Sequence, residues 1–232
     1  MPTKLPADVK LSPDGKALAM VYDYKLWLMP LKGNLGPGIP GKPVQLDIGG
    51  IKAEDSGLSW SYDGKWIAFN DLISAGKSEK SNQSIYVVPS GGGNPKKVIT
   101  NYRDQRIVNY RISLSPDGKN LAFSSVENVQ QHIYTAQVDG GSQKRLADMQ
   151  AREPVYSPDG KMIAFTEDKD LGRGEGGLGL WVISAQGGTP HLLADAGKAS
   201  SPVWSHDGSM IAFLDYFKQK QINIVKVPKI WD

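Results

Sequence analysis

The sequence predicts an all-β chain, a β-propeller of four-stranded antiparallel blades, and three observations carry that prediction. A turn motif recurs five times, a short apolar strand follows each copy, and glycine and proline gather between the apolar runs. The copies are Leu11-Ser12-Pro13-Asp14-Gly15-Lys16, Trp60-Ser61-Tyr62-Asp63-Gly64-Lys65, Leu114-Ser115-Pro116-Asp117-Gly118-Lys119, Tyr156-Ser157-Pro158-Asp159-Gly160-Lys161 and Trp204-Ser205-His206-Asp207-Gly208-Ser209. Their Asp-Gly pairs lie 42 to 54 residues apart, a period that suits four-stranded propeller blades.

Each copy reads as a hairpin turn. Proline presets φ at the second position of a type I turn, aspartate suits the third, and glycine takes the left-handed conformation that follows. The strands behind the turns are Leu18-Ala19-Met20, Ile67-Ala68-Phe69, Leu121-Ala122-Phe123, Ile163-Ala164-Phe165 and Ile211-Ala212-Phe213. Large residues alternate with alanine, so the alanine face leaves room for bulky groups of the neighbouring sheet.

Third strands are expected at Leu26–Met29, Ile85–Val88, Ile133–Ala136, Leu180–Ile183 and Ile222–Val225. Glycine clusters then lead into fourth, more polar strands at 96–99, 143–146 and 190–193, with a looser version at 43–46. Lysine and arginine on these outer strands discourage edge pairing between molecules. The blades accordingly span about 7–46, 57–99, 111–146, 153–193 and 201–227. Residues 3–5 would complete the last blade and close a five-bladed ring; a truncated six-bladed ring is the alternative.

The 232 residues include 40% hydrophobic and 22% charged side chains, enough for a large core and too little polar bias for disorder. Interspersed charges with a net of +3 argue against a nucleic-acid surface. With no cysteine there is neither a disulfide nor a thiolate site. The first residues lack the apolar stretch of a secretory signal and no run is long enough to span a membrane, which leaves a cytoplasmic chain or a mature, trimmed one.

The run of Ser-Pro-Asp-Gly-Lys-x-Ile-Ala-Phe units, each followed by an Ile-Tyr-Val type strand and Gly-Gly, resembles the TolB-type, WD40-like (PD40) β-propeller family from about Thr3 to Val227. The resemblance implies a noncatalytic scaffold that binds a protein or peptide, in the periplasm or elsewhere outside the cytoplasm. It also implies two alternatives: an accessory or gating domain of a larger peptidase or regulator, and a propeller enzyme acting on carbohydrate.

Binding residues tend to ride on irregular loops, here those at the end opposite the Asp-Gly turns. Among them Tyr102, Arg103, Asp104, Arg106, Tyr110 and Arg111 mix aromatics with arginine, as interface hot spots do; the competing reading is a solvated connection with an internal ion pair. A second loop sets Asp168, Asp170 and Glu175 among glycines. Its oxygens could hold Ca²⁺, although the spacing is not that of an EF-hand, and no cofactor is expected. His132, His191 and His206 read as structural or solvated, and the tryptophans mostly as periodic core residues. No catalytic motif is visible. A monomer is expected.

Overall fold

The computed structural model describes residues 6, 8–31, 41–54, 57–71, 84–99, 111–127, 130–167, 179–197, 199–215 and 221–228. These form five antiparallel sheets, each a meander in chain order, arranged as a five-bladed propeller. The first blade contains β1 (Val9–Leu11), β2 (Ala17–Tyr22), β3 (Lys25–Pro30) and β4 (Val44–Gln45). The second contains β5 (Ser59–Trp60), β6 (Trp66–Asn70), β7 (Ile85–Pro89) and β8 (Lys96–Ile99). The third contains β9 (Ile112–Leu114), β10 (Asn120–Glu127), β11 (Gln130–Gln137) and β12 (Lys144–Arg145). The fourth contains β13 (Ala151–Tyr156), β14 (Met162–Glu167), β15 (Gly179–Ser184) and β16 (His191–Asp195). The fifth has three strands among the described residues, β17 (Ala199–Trp204), β18 (Met210–Asp215) and β19 (Gln221–Lys226). Residues 3–5, the expected closing strand, lie outside the described residues.

The alternation of the second strands sorts the core into layers between neighbours. Ala19 and Val21 pack with Ile67 and Phe69, Ala68 with Leu121 and Phe123, Ala122 with Ile163 and Phe165, and Ala164 with Ile211 and Phe213. The small face of each blade thus receives the large face of the next, as the sequence pattern implies.

Polar staples reinforce the same four junctions near the axis. Trp60 Nε1 donates to the Lys10 carbonyl at 3.2 Å, and the Leu114 amide donates to Ser59 Oγ at 3.0 Å. The Tyr156 amide donates to Ser113 Oγ at 3.0 Å, and Trp204 Nε1 to the Val155 carbonyl at 3.0 Å. Trp60 and Trp204 are therefore half-buried fasteners as well as core residues.

At the junction of the fifth blade with the first, several of the described apolar side chains are exposed. Val203, Ala212 and Ile224 share a face of the fifth sheet, on which Ile222 and Ile224 are 72% and 67% exposed. Val9 and Leu11 of the first blade are exposed as well. A sheet covered on one face should open more readily than one covered on both. In native-state hydrogen exchange, the amides of β19 are expected to exchange faster than those of β7, β11 and β15; equal protection would show that the fifth sheet is held as firmly as the others.

Candidate functional site

The five turns are built alike. Gly15, Gly64, Gly118, Gly160 and Gly208 have φ between 69 and 73°, and each donates its amide to the carbonyl of the turn serine at 2.9 to 3.0 Å. This is the type I turn followed by a left-handed glycine that the sequence predicts. The serine does more than its identity suggests. Ser115 Oγ donates to Asp117 Oδ1 at 2.6 Å and accepts the Asn120 amide at 2.9 Å, while Asp117 Oδ1 also accepts the Lys119 amide at 3.1 Å. The same serine–aspartate bond recurs at 2.6 to 2.7 Å in the other four turns.

These donors stabilise the ionised carboxylates. The Ser12 hydroxyl and the Lys16 amide hold Asp14 below its ordinary pKa, and the Ser115 hydroxyl and Lys119 amide do the same for Asp117. Burial pushes Asp63 upward, but the Ser61 hydroxyl and Lys65 amide outweigh it. Asp207 is lowered from 3.8 to about 2, chiefly by the Ser205 hydroxyl and then by the amide and hydroxyl of Ser209. A carboxylate depressed in the folded state stabilises it above its unfolded pKa, and that contribution disappears as pH falls through the folded value. The chain should therefore lose stability between about pH 4 and pH 2. Thermal unfolding of Asp207→Asn should fall less steeply over that interval than the parent; an identical slope would remove Asp207 from the account.

The side chain between serine and aspartate is left free by this network. It is proline in three turns and Tyr62 and His206 in the other two, and these two departures meet. The Tyr62 hydroxyl is hydrogen-bonded to His206 Nδ1 and donates to the His206 carbonyl at 3.0 Å, with the rings 5.2 Å apart. Burial, then the Asp207 carboxylate, raises the Tyr62 pKa. The pair joins the second blade to the fifth at the turn side of the ring. Grooves open on either side of it. One, of about 460 Å³, lies between the turns of the first and second blades over Ala17, Leu28 and Trp60; the other, of about 320 Å³, lies between those of the fourth and fifth. A further groove of about 300 Å³ separates the third and fourth.

The loop side is organised by the position four residues ahead of each turn serine: Asp8, Gly57, Arg111, Glu153 and Ser201. Asp8 Oδ2 accepts the amides of Gly57 and Leu58 at 3.1 and 3.0 Å, tying the first blade to the second. Glu153 Oε2 accepts the Ser201 amide at 2.6 Å, and its Oε1 lies 3.4 Å from Arg111 Nε. The Arg111 guanidinium also donates to Ser201 Oγ at 2.8 Å. Arg111, a predicted interface residue, thus clamps three blades together. Both Glu153 and Ser201 have positive φ, 56 and 57°, where β13 and β17 bulge ahead of a proline. The repeated offset was present in the sequence, but the residue types differ too much to announce a shared role.

The other predicted interface residues, Tyr102, Arg103, Asp104, Arg106 and Tyr110, lie outside the described residues, as do Asp168, Asp170 and Glu175. Among the described residues there is no group of three or more His, Asp or Glu that could hold a metal. His132 is buried with its ring nitrogen against the Met149 carbonyl at 3.0 Å.

These observations define a class: a five-bladed propeller whose signature residues are occupied in fastening turns and blades, and which has recesses between the turns among its described residues. The chain belongs to the TolB beta propeller domain family (PD40), whose sequence model matches residues 58–229. It is 29% identical over 187 residues to an uncharacterized protein of Agrobacterium fabrum, covering 80% of this chain and 57% of that protein. A solved structure assigned as TolB from Agrobacterium tumefaciens is similar at 25% identity with a TM-score of 0.69, covering 90% of this chain and 69% of that one. TolB from Acinetobacter baumannii shares the fold at 20% identity and a TM-score of 0.63, covering 94% of this chain and 54% of that one. The chain thus spans little more than half the length of the curated relative.

Proposed function

We propose that this chain is a noncatalytic TolB-like propeller that binds a protein or peptide partner outside the cytoplasm. The observation that carries the reading is the unfilled groove between the first two blades, a recess with aromatic walls on a rim of hydrogen-bonded turns. A rigid frame that presents a concave, partly apolar surface suits an extended segment of another chain. The family likeness supports both the scaffold reading and a location outside the cytoplasm.

Selection of a displayed library of random linear peptides against the immobilised chain tests this. A consensus that binds saturably and competes as free peptide is expected. Repeated selections that return nothing above background would sink the reading. The double variant Arg103→Ala, Arg106→Ala then asks which end is used: lost capture would assign the partner to the loop side, and retained capture to the turn side.

A further inference from the structure

The five second strands begin at equivalent positions, occupied by Ala17, Trp66, Asn120, Met162 and Met210. Each follows the last residue of the turn motif. Residues of this parity face the next blade: Ala19 joins the core between the first and second blades, and Ala68 the core between the second and third. The side chain at this position therefore determines how much of the groove between successive turns is filled.

Between the second and third blades it is filled. Trp66 lies directly over Gly118 of the next turn, where a Cβ on that glycine would stand 2.4 Å from the indole Cδ1. Between the first and second blades the same place is vacant. Ala17 replaces the indole, and a Cβ built on Gly64, the counterpart of Gly118, meets nothing within 4 Å. Ala17 and Gly64 both line the groove of about 460 Å³, with Leu28, Trp60 and Tyr62 as its apolar surfaces. Trp60 has its indole N–H engaged by the Lys10 carbonyl, so what it offers the groove is ring surface. Asp14 and Asp63 at the edge are balanced by Lys16 and Lys65, at 3.9 and 3.6 Å, so charge of neither sign dominates the entrance.

From this internal comparison we infer that the groove between the first and second blades is a socket for a single planar aromatic side chain, of the tryptophan type, presented by a partner peptide. The occupant is identified by the chain's own architecture: an indole already fills the equivalent space one blade further on. The socket rests on the peptide-binding reading for its biological ligand, while its chemistry can be probed without a peptide.

The probe is N-acetyl-L-tryptophanamide, titrated into isotopically labelled protein and followed by amide and indole chemical shifts, with N-acetyl-L-leucinamide as the comparison. Saturable shifts at Ala17, Trp60, Tyr62 and Gly64 are expected, with the tryptophan amide about tenfold tighter than the leucine amide. Ala17→Trp places the chain's own ring where Trp66 stands in the second blade, and should abolish these shifts while leaving cooperative unfolding intact. Trp66→Ala serves as a second variant, expected to open a matching recess beside Gly118 and raise the stoichiometry by one. Absence of saturable shifts up to the probe's solubility limit, binding that persists in a folded Ala17→Trp variant, or stoichiometry unchanged in folded Trp66→Ala would each overturn the socket. Selected peptides captured equally by parent and Ala17→Trp would leave the peptide-binding reading standing and remove the socket from it. Saturable ring binding with no selected peptide would do the reverse.

Discussion

Replacing Phe165 by alanine is expected to lower the unfolding free energy by about 3 to 5 kcal/mol. Phe165 is 0% exposed and sits in the layer between the third and fourth blades with Ala122, Ile133, Ile163 and Ile183. Two properties of that layer put the cost at this level. The ring faces the alanine side of the neighbouring sheet, and Ala122 is too small to fill the space its removal leaves. The flanking strands are also fixed by ladder pairing from Met162 to Thr166 against Leu180 to Ser184, which limits how far the sheets can close around a cavity. Urea titration of parent and variant measures the difference. A loss below about 1 kcal/mol would mean that the layer relaxes freely and that blade packing is looser than described.

The second large effect concerns two glycines of the same motif. Gly118 and Gly15 have φ of 69 and 70°, so alanine at either pays the same left-handed backbone penalty, about 1 kcal/mol. Their surroundings differ. Nothing lies within 4 Å of a Cβ on Gly15, whereas on Gly118 it would overlap the Trp66 indole. Gly118→Ala should therefore cost about 2 to 4 kcal/mol in total, exceeding Gly15→Ala by roughly 1 to 3 kcal/mol. Adding Trp66→Ala to Gly118→Ala should recover most of that excess relative to Trp66→Ala alone, a coupling a double-mutant cycle reads directly. Equal costs for the two glycines would show that the indole moves aside at no penalty.

The turns and second strands were legible because their constraints are local. Proline, aspartate and glycine act through backbone torsion within four residues, and the Leu-Ala-Met or Ile-Ala-Phe pattern reports a sheet packed on both faces. Longer-range roles were not legible. Tyr62 and His206 stand out as departures from proline, but nothing in the chain says that residues 144 apart share a hydrogen bond. Arg111 was read with its loop neighbours as surface, because the carboxylate it pairs with, Glu153, belongs to the next blade. The turn serine was the missed local signal. A hydroxyl that serves as donor to aspartate and acceptor for a strand amide is the reason the motif begins with serine. The empty groove is legible only by aligning the blades, since Ala17 means little until Trp66 is set beside it.

The bracket formed by serine, aspartate and glycine has one unencumbered slot, held by Pro13, Tyr62, Pro116, Pro158 and His206. No hydrogen bond that shapes the bracket uses the side chain there, so apart from the torsion that proline presets in three of the turns, substitution leaves the bonds of the mounting in place. Two of these slots, Tyr62 and His206, meet across the turn side of the ring. Divergence among duplicated units can thus accumulate where it meets incoming molecules, while the hardware beneath stays uniform.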